Sequence, residues 1–217
     1  DAPRDRVVCI TGTKGKSTTA SIAGALATRL GNRCLTGGNI GLPPWDPEAP
    51  EADWWVIETS SYQARDLHIG PRVAVVTSLS QDHLPWHDQK YENYVRDKLS
   101  LCTQPGVEVV LVPSGDTELE THADLIGDHV RWVDNRDEPW VGALGLLGAH
   151  NQRNALLART ALVELGVPGA DDDEAVLRAA AGYQPLRSRL TPVGTVKGVD
   201  FVDDSLGHMH RDADTQP

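Results

Sequence analysis

Residues 7–17 read VVCITGTKGKS. Val7, Val8 and Ile10 are good strand formers. The glycine-rich stretch Gly12-Thr13-Lys14-Gly15-Lys16-Ser17 follows, and beyond it Ile22, Ala25, Leu26 and Leu30 recur at helical spacing. A strand that runs through a glycine turn into a helix presents backbone N–H groups to an anion, and the helix N-terminus adds a favourable dipole. On this reading Gly12, Thr13, Lys14, Gly15 and Thr18 form the cradle. Lys16 offers a cation to the β/γ-phosphates, and the Ser17 hydroxyl suits Mg2+. The stretch therefore predicts a nucleoside triphosphate site.

The match to the pattern G-x-x-x-x-G-K-[ST] is incomplete, because that pattern asks for glycine where Ile10 stands. A chance Lys-Ser after an ordinary turn is the competing reading. The strand before and the helix after favour phosphate binding.

The rest of the chain alternates in the same way. Strands are predicted at 7–11, 54–58, 72–78 and 107–112, with a shorter one near 129–133. Runs such as Val109-Val110-Leu111-Val112 are apolar throughout, as in strands covered on both faces. Helices are predicted at 17–30, 91–102, 151–165 and 173–181, the third closed by Gly166 and Pro168. The expected fold is α/β: a doubly wound, mostly parallel sheet with the phosphate loop and flanking helices, whose ligands gather at the strands' carboxyl ends. Leu190–Val196 and Val199–Val202, joined through Lys197-Gly198, predict a small β-hairpin extension. The acidic run Asp171–Glu174 reads as a solvated loop and helix start.

The composition is that of a globular protein: of 217 residues, 40% are hydrophobic and 24% charged. No apolar run is long enough to cross a membrane, and the polar start DAPRDR is not a secretory signal. A net charge of −11 argues against general nucleic-acid or anionic-membrane binding. Cys9, Cys34 and Cys102 are odd in number and lack metal-type spacing, as expected of reduced core cysteines in a cytoplasmic protein. Residues 207–217, GHMHRDADTQP, have no periodicity, and Gly207-His208-Met209 looks like a cloning remnant. The expected division is thus a domain at 1–206 and a polar tail at 207–217.

Several polar residues fall at predicted strand ends. Glu58 follows Trp54-Trp55-Val56-Ile57 and is placed to hold Mg2+, against the plainer reading of a loop or capping acid. Asp82-His83 follows the strand at 72–78. His83 and His87 stand four apart, but Pro85 between them and the lack of an H-E-x-x-H glutamate speak against zinc. His83 can instead ligate a hard cation or touch a substrate. Asn39 sits in a glycine turn, Asn151 reads as a helix N-cap, and Asn154 has no such explanation. On its own residues Lys98 is a lysine at the edge of an apolar helical stripe, hence a surface charge.

Taken in order, GTKGKS (12–17), GGNIGLP (37–43), ETSSYQ (58–63), SQDHLPWH (80–87) with YVRDKL (94–99), AHNQRNALLA (149–158), PLRSRL (185–190) and FVDDS (201–205) resemble the central ATP-binding domain of the Mur ligases. This family joins amino acids to the peptidoglycan precursor in the cytoplasm. Within it, GTKGKS, GNIGLP and ETSSYQ are most similar to members that add glutamate to UDP-N-acetylmuramoyl-L-alanine. The commoner members add D-glutamate, whereas DHLPWH followed by DKLSL is similar to an L-glutamate-adding relative, so the configuration stays open.

The resemblance implies ATP and two Mg2+ ions, with Lys16 and Ser17 on the phosphates and first ion, and Glu58, His83 and a carbamylated Lys98 among the metal ligands. It implies Lys16, Lys98 and His83 as the catalytic groups. Asn39, Ser60, Gln63 and His83 would meet the muramoyl substrate, and Asn151, Asn154, Arg189 and Asp204 the nucleotide. It also implies an acyl-phosphate ligase mechanism and a monomer. Leu206 stands where the family carries lysine, and the family's uridine- and amino-acid-binding domains have no counterpart in these residues. The expectation is an ATP-binding domain with little complete ligase activity alone. A folylpolyglutamate-synthase-like ligase and a non-catalytic nucleotide-binding module are the alternatives. A GTPase switch would want Asn-Lys-x-Asp, which is missing from the sequence.

Overall fold

The computed structural model describes residues 3–39, 43, 46–82, 84–186 and 191–203. Six strands form one sheet in the order β2-β3-β1-β4-β5-β6, every pair parallel. They are β1 Val7–Thr11, β2 Cys34–Gly38, β3 Trp54–Glu58, β4 Val73–Val76, β5 Val109–Pro113 and β6 Val130–Val133. The helices between and after them are α1 Lys16–Arg29, α2 Ser61–Asp66, α3 Tyr91–Leu99, α4 Thr117–Thr121, α5 Ala123–Ile126, α6 Pro139–Ala143, α7 Ala149–Leu165 and α8 Asp173–Ala180.

The apolar inner strands serve two cores at once. Val8 and Ile10 of β1, Val73 and Val75 of β4, and Leu111 of β5 pack with α1, α6, α7 and α8. The alternate residues Cys9, Ala74, Val76, Val110 and Val112 pack with α2, α3, α4 and α5. A period of two therefore sends neighbours to opposite faces, and both faces are dry. Each fully buried aliphatic side chain contributes about 1.5–3 kcal/mol to holding this three-layer arrangement.

The doubly wound expectation holds, and so do the long helices. Gly166 closes α7 in the left-handed conformation at φ 81°, and Asp172 caps α8 by accepting from the N–H groups of Glu174 and Ala175. The hairpin pairs β7 Thr191–Val196 with β8 Val199–Asp203 through Lys197 and Gly198, both at positive φ. Differences lie where polar loops cut elements short. The fourth strand stops at Val76 because Thr77 and Ser78 turn to bind the glycine loop. The helix from Tyr91 ends at Leu99 and tightens into a 3-10 turn at Ser100–Thr103. The edge strand β2 and the short helices α2, α4, α5 and α6 carry too little periodicity to be read from sequence; β2 has two glycines in five residues. Asn151 is not the cap of α7, which begins from Gly148; Asn151 lies inside the helix and donates back to the Leu147 carbonyl at 2.7 Å.

Candidate nucleotide site

The chain leaves β1 for β2 and β3 on one side of it, then crosses to β4, β5 and β6 on the other. Strand order reverses at β1, and the crevice at its carboxyl end is where an open α/β sheet binds ligands. The glycine loop lies there. Gly12 has φ 137°, and a Cβ on it would stand 2.2 Å from Thr77 Oγ1. Gly15 has φ 89°, and a Cβ there would meet Asn154 Oδ1 at 2.5 Å. Both glycines are thus required by conformation and by close approach. They also account for the shortened motif: Ile10 stays in the sheet, fully buried, and Gly12 makes the close pass against β4.

The loop is held by its neighbours. Thr13 N–H donates to the Ser78 carbonyl at 2.9 Å and Lys14 N–H to Ser78 Oγ at 2.9 Å. Thr13 Oγ1 accepts from Ser80 N–H at 3.0 Å and donates to the Ser80 carbonyl at 3.1 Å. Its single proton is then committed, so the Tyr94 hydroxyl, 2.8 Å away, is the donor in that contact. Helix α1 begins at Lys16 from the left-handed Gly15 with no side-chain cap, leaving its first turn of N–H groups directed at the crevice. Lys16 Nζ folds back to donate to the Thr13 carbonyl at 3.1 Å.

Two further buried groups converge on this loop. Glu58 ends β3, paired in register with Ile10, and is 2% exposed. Its Oε1 accepts from Asn39 Nδ2 at 3.2 Å, whereas Oε2 is buried with no hydrogen-bond partner. An orphaned carboxylate oxygen at the mouth of a phosphate loop fits a hard cation. Lys98 is 2% exposed and donates to the Gly12 carbonyl at 2.9 Å. The reading of Lys98 as a surface charge is therefore corrected. Helix α3 lays its stripe edge on the polar glycine loop, a partner that periodicity does not reveal. Burial and the nearby Lys16 ammonium push the Lys98 amine down to about 7, partly offset by Asp82 and Glu58.

The other expected site residues divide. Asn154 lies over Gly15, and its Nδ2 donates to Asn151 Oδ1 at 3.4 Å, so Asn154 lines the loop from α7 with Asn151 behind it. Ser60 and Gln63 bind each other in a capping box that starts α2: Ser60 Oγ accepts from Gln63 N–H at 3.3 Å and Ser60 N–H donates to Gln63 Oε1 at 2.8 Å. His83, Arg189 and Asp204 lie outside the described residues. Helical spacing alone makes Tyr94 a member of the apolar stripe of α3. Its role at the loop shows in sequence solely as the position four before Lys98, on the same helix face. The three cysteines are free; Cys9 and Cys102 are buried. Among the described residues no helix is long and apolar enough to cross a membrane.

A glycine loop between β1 and α1, backed by β4 and faced by a buried carboxylate and a buried amine, defines a phosphate-binding α/β domain. The chain belongs to the Mur ligase family: residues 10–134 match the Mur ligase middle domain. It is 39% identical, over 93% of its length and 48% of the relative's, to UDP-N-acetylmuramoyl-L-alanine--L-glutamate ligase of Micromonospora sp.. The protein of the same name in Xanthomonas oryzae pv. oryzae is 37% identical over 92% of this chain and 46% of that one. The chain thus spans about half the length of the curated relatives it matches. Among solved structures, MurF from Acinetobacter baumannii superposes with a TM-score of 0.68 over 94% of this chain and 51% of that one, at 18% identity. UDP-N-acetylmuramate-alanine ligase from Thermotoga maritima does so with a TM-score of 0.63 over 92% and 50%, at 19% identity. These likenesses establish the fold.

Proposed function

We propose that this domain binds ATP with Mg2+ and performs the phosphoryl-transfer step of a ligase that adds L-glutamate to UDP-N-acetylmuramoyl-L-alanine. The convergence of Glu58 and Lys98, both buried, on the glycine loop carries the reading. The names of the relatives supply the two substrates and favour the L configuration that the motifs leave open.

In this reading the loop N–H groups and Lys16 hold the triphosphate, and Asn151 and Asn154, with Arg189 and Asp204, receive the nucleotide. Ser17, Glu58, His83 and Lys98 would hold Mg2+, which when bound neutralises phosphate charge during transfer. Asn39, Ser60, Gln63 and His83 orient the muramoyl substrate. Its terminal carboxylate attacks the γ-phosphorus in line, ADP leaves, and an acyl phosphate forms. The glutamate amine then attacks the acyl carbon, forming the amide and releasing phosphate.

Lys98 enters this scheme as a carbamate. An amine with a pKa of about 7 is substantially unprotonated near neutrality and nucleophilic toward CO2. Reaction with CO2 releases one proton and leaves an anionic oxygen ligand. The nitrogen keeps one N–H for the Gly12 carbonyl.

Calorimetric titration tests the reading. Mg2+-ATP is expected to bind and GTP to bind far more weakly. Lys16→Ala and chelation of Mg2+ should each weaken ATP binding by about tenfold or more, on the order of 1.4 kcal/mol. Equal ATP affinity in Lys16→Ala and in chelator would overturn it. In a protein of the relatives' full length, continued ADP release over many turnovers should require both UDP-N-acetylmuramoyl-L-alanine and L-glutamate.

A further inference from the structure

A second polar constellation lies behind the phosphate loop. The side chain of His87 is wholly buried. Its Nδ1 stands 3.0 Å from Asp97 Oδ2 and its Nε2 3.2 Å from Ser61 Oγ. Tyr62 stacks on the ring at 5.3 Å between centroids, and Tyr94 meets it edge-on at 5.3 Å. A carboxylate only accepts, so Nδ1 carries a proton, and Nε2 joins the ring to the Ser61 hydroxyl. The chain is bent to place this ring. Asp88 and Gln89, neither a glycine, follow it at φ 56° and 58°. The His87 carbonyl accepts from Lys90 N–H at 3.0 Å and Asn93 Nδ2 at 3.2 Å.

Ser, His and Asp in this order have the connectivity of a nucleophilic triad. Ser61 does not suit that chemistry: it is 3% exposed and its hydroxyl is turned to the interior. What the three residues join is more telling. Ser61 opens α2 just after the β3 end that carries Glu58, and Asp97 directly precedes Lys98 on α3.

We propose that Ser61, His87 and Asp97 form a buried positioning relay that ties α3 to the end of β3 and so holds Lys98 against the glycine loop, opposite Glu58. The proposal rests on the reading of Lys98 as a group of the nucleotide site. Tyr94 extends the relay by touching the His87 ring, the Thr13 hydroxyl and, at 4.8 Å from its centroid, Lys98 Nζ.

The chain has five lysines, so a protein carrying 13C-labelled lysine gives a readable spectrum. The Tyr94 ring beneath Lys98 shifts its ε-methylene signal away from those of exposed lysines. In His87→Phe and Asp97→Ala this signal is expected to move toward the exposed position, with Mg2+-ATP binding weakened about tenfold. His87→Asn, which keeps an N–H for Asp97, should restore both. A merely structural contact would lower the melting temperature and leave the Lys98 signal in place, and that result overturns the relay. Labelling of Ser61 by a fluorophosphonate probe overturns it too. If His87→Phe does not fold, Ser61→Ala, which removes one hydroxyl, carries the same test. Absence of Mg2+-ATP binding in the unaltered chain would sink the functional reading alone, because the lysine spectrum decides the relay without nucleotide.

Discussion

Lys98 shows what a single residue costs and does here. Its amine sits at about 7 rather than 10.5, so between those values the unfolded chain binds a proton that the folded chain does not. Stability then rises with pH across that window, and below it the fold bears the full penalty of a buried ammonium. Lys98→Met should abolish this rise. In CO2-free buffer, where Lys98 is a free amine, urea unfolding below pH 7 and near pH 10.5 is expected to show the variant gaining a few kcal/mol on the parent at the acid end only. A parallel pH dependence in both proteins would refute the assignment. The same residue marks a limit of sequence reading. Its place at the edge of an apolar stripe is visible in Tyr91, Tyr94, Val95, Leu99 and Cys102. That the edge meets a polar loop 86 positions away is not. Gly12 is the converse case: its identity announces a special backbone, and the structure adds the reason, the pass beside Thr77.

At the scale of elements, legibility follows local signals. Helices α1, α7 and α8 were readable because their caps and spacing are local. Asp172 accepts from two first-turn N–H groups and is exposed beyond the packing of the sheet. Asp172→Ala should therefore cost about 1 kcal/mol, read as a lower urea midpoint with unchanged slope. An unchanged midpoint would mean that α8 is held by Val176, Ala179 and Ala180 in the core alone. The short elements were not readable because they are too short for periodicity to show. β2 exists through its parallel register with β3, Gly38 against Glu58. α2 exists through the Ser60–Gln63 capping box and Ala64 in the core. The capping box also gives Ser60 and Gln63 a structural task, and its Ser-x-x-Gln spacing is a local signal.

At the scale of the whole molecule, the site is the seam of the sheet. Groups from β1, β3, β4, α3 and α7 meet at the carboxyl end of β1, so a ligand there bridges most of the fold. Mg2+-ATP binding only the native state should raise the melting temperature, with about 2.7 kcal/mol of added stability at one hundred times the dissociation constant. No shift at saturating nucleotide would contradict the site. The sequence by itself determined the alternation of strands and helices, the phosphate loop and the carboxylate after the WWVI run, because each is written in neighbouring residues through periodicity, glycine and strand-end position. The tertiary structure alone decided that Lys98 is buried on Gly12, that Asn154 roofs Gly15, and that His87 links Ser61 to Asp97. Each of these depends on strands and helices far apart in the chain being brought together at one sheet end. Local patterns carry no information about the distance across that seam.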